Sequence, residues 1–213
     1  MTIEEIIRRV SPYTITNPIR MQALYSTVLK VDELEGDIVE TGVFKGGSSM
    51  LMAMTLKSIG IKDKKIYMYD TFEGVPIPGE YDIKKGGMSG IEAWHKKDKW
   101  NCASIEEVRN NIKKTNYPLD KFILIKGMVE DTIPKNIPEK ICLLRLDTDF
   151  YKSTKHTLKH LYPRLVKGGY LVIDDYGSWD GCKKAVNEYF KENGLNKKDI
   201  KIIDDSCREY KKW

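Results

Sequence analysis

The sequence predicts a doubly wound α/β sheet with an antiparallel hairpin at its carboxyl end and two helices in front of it. Three observations predict it. From Asp37 onward, short apolar runs alternate with segments of helical period. Two of the later runs break into aspartates, at Asp147 and at Asp174-Asp175. A glycine turn joins the first run to the first helix of the alternation. Acids at the carboxyl ends of neighbouring parallel strands share one rim, and that rim is where open α/β sheets bind ligands. Asp147 and Asp174 are 27 residues apart, room for one helix and the return strand of a right-handed βαβ unit.

Ile3, Ile6, Ile7 and Val10 repeat at helical spacing, as do Met21, Leu24, Tyr25, Val28 and Leu29, so two amphipathic helices precede the sheet, separated by Pro12 and Pro18. Ile38–Thr41 reads as the first strand, Gly42–Gly47 as a tight turn and Ser48–Ile59 as a helix opened by a serine cap. Ile66–Asp70 is the second strand. Thr71–Asn101 has no clear period, and its length inside a compact domain marks it as an active-site lid. Ser104-Ile-Glu-Glu107 is a capping box opening a helix to about Asn116. Phe122–Lys126 and Ile141–Asp147 are the third and fourth strands, and a helix near Ser153–Leu165 ends at Lys167-Gly168-Gly169, where glycine takes a left-handed cap. Tyr170–Asp175 is the fifth strand, a helix spans about Cys182–Glu192, and Asp199–Ile203 with Arg208–Trp213 makes the terminal hairpin. No linker, repeat or low-complexity segment interrupts the series, which predicts a single domain over 1–213, with 1–36 as a helical cover and 71–101 as the lid.

Composition narrows the class. Lys and Arg total 36 against 31 Asp and Glu, a mild +5 spread along the chain, so nucleic acid is not implied. The amino terminus lacks the basic-then-apolar order of a secretory signal, and no apolar stretch approaches membrane-spanning length, so a cytoplasmic location without membrane insertion is expected. Cys102, Cys142, Cys182 and Cys207 show no C-x-x-C spacing and read as reduced thiols.

Glu40-Thr-Gly42-Val-Phe-Lys-Gly46-Gly47-Ser48 is neither G-x-G-x-x-G nor a P-loop. Such a turn allows close backbone approach to a ligand, and the acid before it favours a cationic ligand over a pyrophosphate; the alternative is a purely structural turn. Asp70 stands where doubly wound folds place an acid for ribose hydroxyls, or serves the turn. Asp147, Asp174 and Asp175 form an oxygen-only set suited to Mg²⁺, or else perform separate turn and cap duties. Asp149 is either a fourth member or the cap of the next helix. His156 and His160 lack the H-E-x-x-H pattern and read as packing or solvated, while His95 in the lid is a candidate base, a substrate contact or an exposed loop histidine.

Six segments together carry a family resemblance: Asp37-Ile-Val-Glu-Thr-Gly-Val-Phe-Lys-Gly-Gly-Ser48, Tyr69-Asp-Thr-Phe-Glu-Gly74, Lys126-Gly-Met-Val-Glu-Asp-Thr132, Leu144-Arg-Leu-Asp-Thr-Asp-Phe-Tyr151, Leu161-Tyr-Pro-Arg-Leu165 and Ile173-Asp-Asp-Tyr-Gly177. In order and spacing, from about residue 18 to 190, they resemble the macrocin O-methyltransferase family. The resemblance implies a Rossmann-like class I methyltransferase sheet and an S-adenosylmethionine- and Mg²⁺-dependent enzyme acting on a sugar hydroxyl. It implies Glu40, Gly42 and Ser48 at the methionine end of the cofactor, Asp70 at the ribose with Thr71 and Phe72 beside it, Val129 and Glu130 at the adenine, and Met21 touching the cofactor. Asp147, Asp174 and Asp175 map to the metal ligands, with Asp147 also the base. The chain departs from the family in the loop from 75 to 101, where acceptors would be chosen, so a nucleotide sugar, a glycan and a glycosylated natural product all stay open. The amphipathic amino-terminal helices offer a surface for a homodimer.

Three rivals remain at this point. A metal-dependent glycosyltransferase would use Asp147-Thr-Asp149 as its D-x-D but leaves the Glu40 turn unexplained. A haloacid-dehalogenase-like phosphatase places its nucleophile after the first strand, not the fourth. A non-catalytic binding module would not need intact acids at every motif.

Overall fold

The computed structural model describes residues 1–97 and 100–213; residues 98 and 99, within the predicted lid, lie outside the described residues. Seven strands form one sheet: β1 (Asp37–Thr41), β2 (Ile66–Asp70), β3 (Phe122–Lys126), β4 (Ile141–Leu146), β5 (Leu165–Ile173), β6 (Lys201–Ile202) and β7 (Arg208–Lys211). Their order is β3-β2-β1-β4-β5-β7-β6. The first five are parallel, and β7 runs antiparallel between β5 and β6. The expected hairpin therefore forms, with its second strand on the inside.

The helices are α1 (Ile3–Val10), α2 (Pro18–Lys30), α3 (Gly47–Ser58), α4 (Gly90–His95), α5 (Ile105–Ile112), α6 (Val129–Thr132), α7 (Tyr151–Leu161) and α8 (Asp180–Glu192). A complete capping box between Thr2 and Glu5 starts α1, and Asn17 caps α2 with Pro18 at its first position, where the missing N–H is of no consequence. The apolar stripes of α1 and α2 pack with α3 on one face of the sheet, through Ile6, Val10, Leu24 and Val28 against Met50, Leu51 and Met54. On the other face Leu158 and Leu161 of α7 meet Val186 and Phe190 of α8.

The sheet reverses its winding between β1 and β4, and the chain leaves both strands at the same rim. There Gly42, with φ +84, lies so close to Asp147 that a Cβ would fall 1.9 Å from the Asp147 carbonyl oxygen. At Gly47 a Cβ would lie 2.6 Å from the carbonyl oxygen of Tyr13, so the start of α3 admits the amino-terminal segment directly over the rim.

Two expectations are corrected. Lys167-Gly168-Gly169 does not end a helix: α7 stops at Leu161, a single 3-10 turn follows, and the glycines lie inside a longer β5. The pairing of β4 with β5 is irregular there, Gly168 takes φ +85, and its N–H donates to Lys212 O at 2.7 Å, which marks a bulge instead of a cap. Residues 71–97 are also more ordered than their lack of period predicts, carrying α4 and a turn whose Ile83 and Lys84 bridge to Ser89 and Trp179. Among the described residues no helix is long and apolar enough to cross a membrane.

Candidate active site

A cavity opens at the rim where β1, β2 and β4 end. Its floor is the turn Gly42-Val43-Phe44 with Ser48 of α3; its sides include Asp70, Thr71, Val129 and Glu130 on one flank and Asp147, Thr148, Asp149, Asp174 and Asp175 on the other. Asp70 shapes the floor. One of its carboxylate oxygens accepts from the amides of Val43 at 2.6 Å and Phe44 at 3.0 Å, the other from the amide of Phe72 at 2.7 Å. The acid closing β2 thus clamps the turn following β1 while keeping lone pairs toward the cavity.

Three carboxylates gather on the opposite flank. Asp147, Asp174 and Asp175 each offer an oxygen, all within 4.8 Å of one another. They stand beside Arg145, which is 1% exposed and carries three acids on one guanidinium: Nη1 donates to Glu40 Oε1 at 2.8 Å and Asp147 Oδ2 at 2.7 Å, and Nη2 to Asp174 Oδ1 at 2.7 Å. Arg20 adds a second guanidinium on Asp174 Oδ2, at 2.6 Å. Burial raises all of the remaining acids. The Asp147 carboxyl is pushed up to about 6 by burial against the pull of Arg145, Asp149 up to about 7 by burial and its Asp147 neighbour, and Asp175 well above the usual range by burial and the acids around it. Among the described residues, five carboxylates, those of Glu40, Asp147, Asp149, Asp174 and Asp175, cluster about two guanidinium groups, so the acids there outnumber the cations.

The structure brings together most of the expected residues. Gly42, Ser48, Asp70, Thr71, Val129 and Glu130 line the cavity, with the three metal candidates. Three others lie elsewhere. Met21 is 3% exposed and packs in the core, because the apolar stripe of α2 that it shares with Leu24 and Val28 turns inward; its neighbour Arg20 reaches the cavity instead. Glu40 is fully buried beneath the turn, held by Arg145, which is aligned with it in the next strand, and by the Ser49 hydroxyl, so it presents no face to a bound ligand. Phe72, at φ +53, turns its ring into the core and offers only its amide, to Asp70.

Asp149 is not a helix cap. The cap position of α7 is Phe150, without a side-chain bond, while Asp149 adopts φ +61 and gives its amide to Asp175 Oδ2 at 3.3 Å. The cap comes from the segment that follows β2: Asp82 Oδ1 accepts from the amide of Tyr151 at 2.7 Å. His95 stacks edge-on against Trp94 and lies off the cavity, and His156 Nε2 bonds the carbonyl of Ile133 at 2.9 Å.

Sequence reasoning missed Arg20, Arg145, Thr148, Asp82 and the Thr14–Thr16 segment. Arg145 carried a usable signal, since an arginine within the apolar run of a central strand must find buried acids. Two further atoms point to a ligand: Thr148 Oγ1 and one carboxylate oxygen of Glu130 are buried against the cavity without a hydrogen-bond partner among the described residues.

Comparison with known proteins agrees with this architecture. Residues 9–212 match the family described as Macrocin-O-methyltransferase (TylF). The chain is 35% identical over 160 residues to the demethyldecarbamoylnovobiocin O-methyltransferase of Streptomyces niveus, covering 74% of this chain and 59% of that protein. It is 34% identical over 176 residues to the 8-demethyl-8-(2,3-dimethoxy-alpha-L-rhamnosyl)-tetracenomycin-C 4'-O-methyltransferase of Streptomyces olivaceus, covering 83% and 66%. The chain thus spans 59% and 66% of the length of these two curated relatives, under two thirds of each. Among solved structures it superposes on the O-methyltransferase NovP with a TM-score of 0.84 at 30% identity, over 94% of this chain and 82% of that one.

Proposed function

The chain belongs to the macrocin O-methyltransferase family, and on that premise we propose that it transfers a methyl group from S-adenosylmethionine to a sugar hydroxyl, with Mg²⁺ as its metal. One observation carries the reading: the Asp147, Asp174 and Asp175 oxygens converge on the flank of the same cavity whose floor is the Gly42 turn. A hard divalent ion suits an all-oxygen donor set, and it supplies the positive charge the five acids lack, lowering the pKa of a hydroxyl held beside it.

The protein's own groups have distinct tasks. The Gly42 turn and Ser48 receive the methionine end of the cofactor, Asp70 the ribose, and Val129 with the unpartnered Glu130 oxygen the adenine. These residues line the same cavity. Asp147 accepts the proton of the acceptor hydroxyl: its carboxylate lines the cavity among the converging acid oxygens, beside the place where the hydroxyl would be held. Methyl transfer is an in-line displacement, so the fixed angle between floor and flank does much of the remaining work, for which orientation offers up to about 7–11 kcal/mol in favourable cases. Residues 1–213 act as a single methyltransferase domain, with 1–36 as cover and 71–101 as lid, in the cytoplasm.

The acceptor is a sugar on a nucleotide, a glycan or a natural product. Incubating the protein with S-adenosylmethionine, Mg²⁺ and panels of all three, followed by mass spectrometry, tests the reading. One acceptor gaining a single methyl, with loss of the signal in EDTA, is the expected result. Methylation undiminished by EDTA would remove the metal, and no methylation with any sugar would remove the substrate class.

A further inference from the structure

We propose that Arg145 is the positioning residue of the metal site: it fixes the carboxylates of Asp147 and Asp174 and, through Glu40, ties them to the glycine turn that forms the cavity floor. This rests on the metal-dependent reading above and names how the metal site is held.

The argument begins with the strands. Glu40 of β1 and Arg145 of β4 are aligned neighbours in the sheet, and Asp147 and Asp174 follow at the ends of β4 and β5. An arginine buried at this depth must spend its donors on acids, because a buried charge without partners is costly, and its fork meets three carboxylates. The guanidinium is planar and its donors are fixed in direction, so its bonds to Glu40, Asp147 and Asp174 set these groups in one orientation. Both guanidinium bonds to the metal candidates therefore act as outer-shell orientation of the kind that tunes metal sites. Glu40 anchors the guanidinium from beneath and is itself anchored by the Ser49 hydroxyl in α3. It does not line the cavity. Any effect of Glu40 on the metal must pass through Arg145 or through its charge alone.

That separation gives the test. Mg²⁺ affinity is measured by calorimetry at pH 8, with Glu40 ionised, on the purified full chain for the wild type, Arg145→Lys, Glu40→Gln and the double variant. Arg145→Lys keeps the charge and loses the fork, and Mg²⁺ binding should weaken by about 10- to 100-fold, as for loss of other outer-shell partners. Glu40→Gln should weaken it too, by releasing the guanidinium onto the two metal candidates. In the double variant the Glu40→Gln effect should vanish, because the shared intermediary is already gone. Unchanged affinity in Arg145→Lys, or additive effects in the double variant, overturns the proposal. If Arg145→Lys does not fold, Glu40→Gln decides by itself, and unchanged affinity there overturns it. A wild type that binds no Mg²⁺ removes the metal-dependent reading and this proposal together, whereas a wild type that binds it with indifferent variants removes this proposal alone.

Discussion

The carboxylate of Asp82, in the segment between β2 and α4, accepts the amide hydrogen of Tyr151 at the start of α7, four residues beyond Asp147. Its second oxygen takes the amide of Gly79 at 2.7 Å, and Gly181 at the start of α8 is so close that a Cβ would fall 1.9 Å from Asp82 Oδ1. Asp180 adds an amide bond to Ile83 O at 2.9 Å. Both helices that leave the metal candidates thus begin against one residue of the segment between β2 and α4, so the position of that segment and the geometry of the acids are mechanically linked.

Asp82→Ala should cost stability and substrate affinity together. The part-buried amides of Tyr151 and Gly79 lose their acceptor, each hydrogen bond worth roughly 1 kcal/mol. The urea midpoint should fall, the acceptor KM should rise, and cofactor affinity should change little, because the Gly42 floor is untouched. Wild-type KM in a folded Asp82→Ala protein would sink the lid assignment.

Asp147→Ala and Asp175→Ala should each abolish turnover while S-adenosylhomocysteine still binds, since both acids line the cavity apart from Asp70 and Val129, the residues proposed for the adenosine. Asp175 is the more telling of the two. Among the described residues it has no guanidinium partner, and it meets the Asp149 amide at 3.3 Å and the Asp147 carboxyl, so its removal should leave the folded protein at least as stable in EDTA. Turnover in Asp175→Ala that matches the wild type would exclude its place at the metal.

Much of this was legible in the residues. The five parallel strands are found where apolar runs end in acids or basic turns, because burial on both faces leaves such strands no other composition. The three-acid cluster was legible for the same reason: strand ends must meet at a rim. What the sequence concealed were side-chain directions. Glu40 and Gly42 are two residues apart, yet one faces Arg145 under the turn and the other faces the cavity, and only the register of β1 against β4 decides which. Met21 and Arg20 exchange places for a similar reason, the helix phase of α2. Gly168 and Gly169 resembled a helix cap because bulges and caps ask for the same residue. The capping of α7 by Asp82 spans 69 positions and has no local signature.

Gly42→Ala tests the closeness of the two strand ends. At φ +84 an alanine is strained by about 1–3 kcal/mol before any clash is counted. Its methyl would also strike the Asp147 carbonyl, so the turn must separate from β4. A lowered urea midpoint and loss of S-adenosylhomocysteine binding are expected together, and a variant keeping both would show that the contact is slack.

Glu40 should leave a mark on the pH dependence of stability. Burial pushes its carboxyl up to about 7, outweighing Arg145 and the Ser49 hydroxyl, which pull it down. An acid raised on folding holds its proton in the native state at pH values where the unfolded chain has released it, so the native state binds more protons and stability falls as pH rises. For Glu40 the window runs from the ordinary glutamate range, about 4.3, up to about 7. Glu40→Gln cannot titrate, so the wild type should lose stability relative to it between pH 5 and about pH 7, with no further loss above that. The comparison is made by urea unfolding in EDTA, which keeps metal linkage out of the difference. A wild type that instead gains on Glu40→Gln as pH rises would mean that Arg145 outweighs burial, and that the acid beneath the glycine turn is charged throughout.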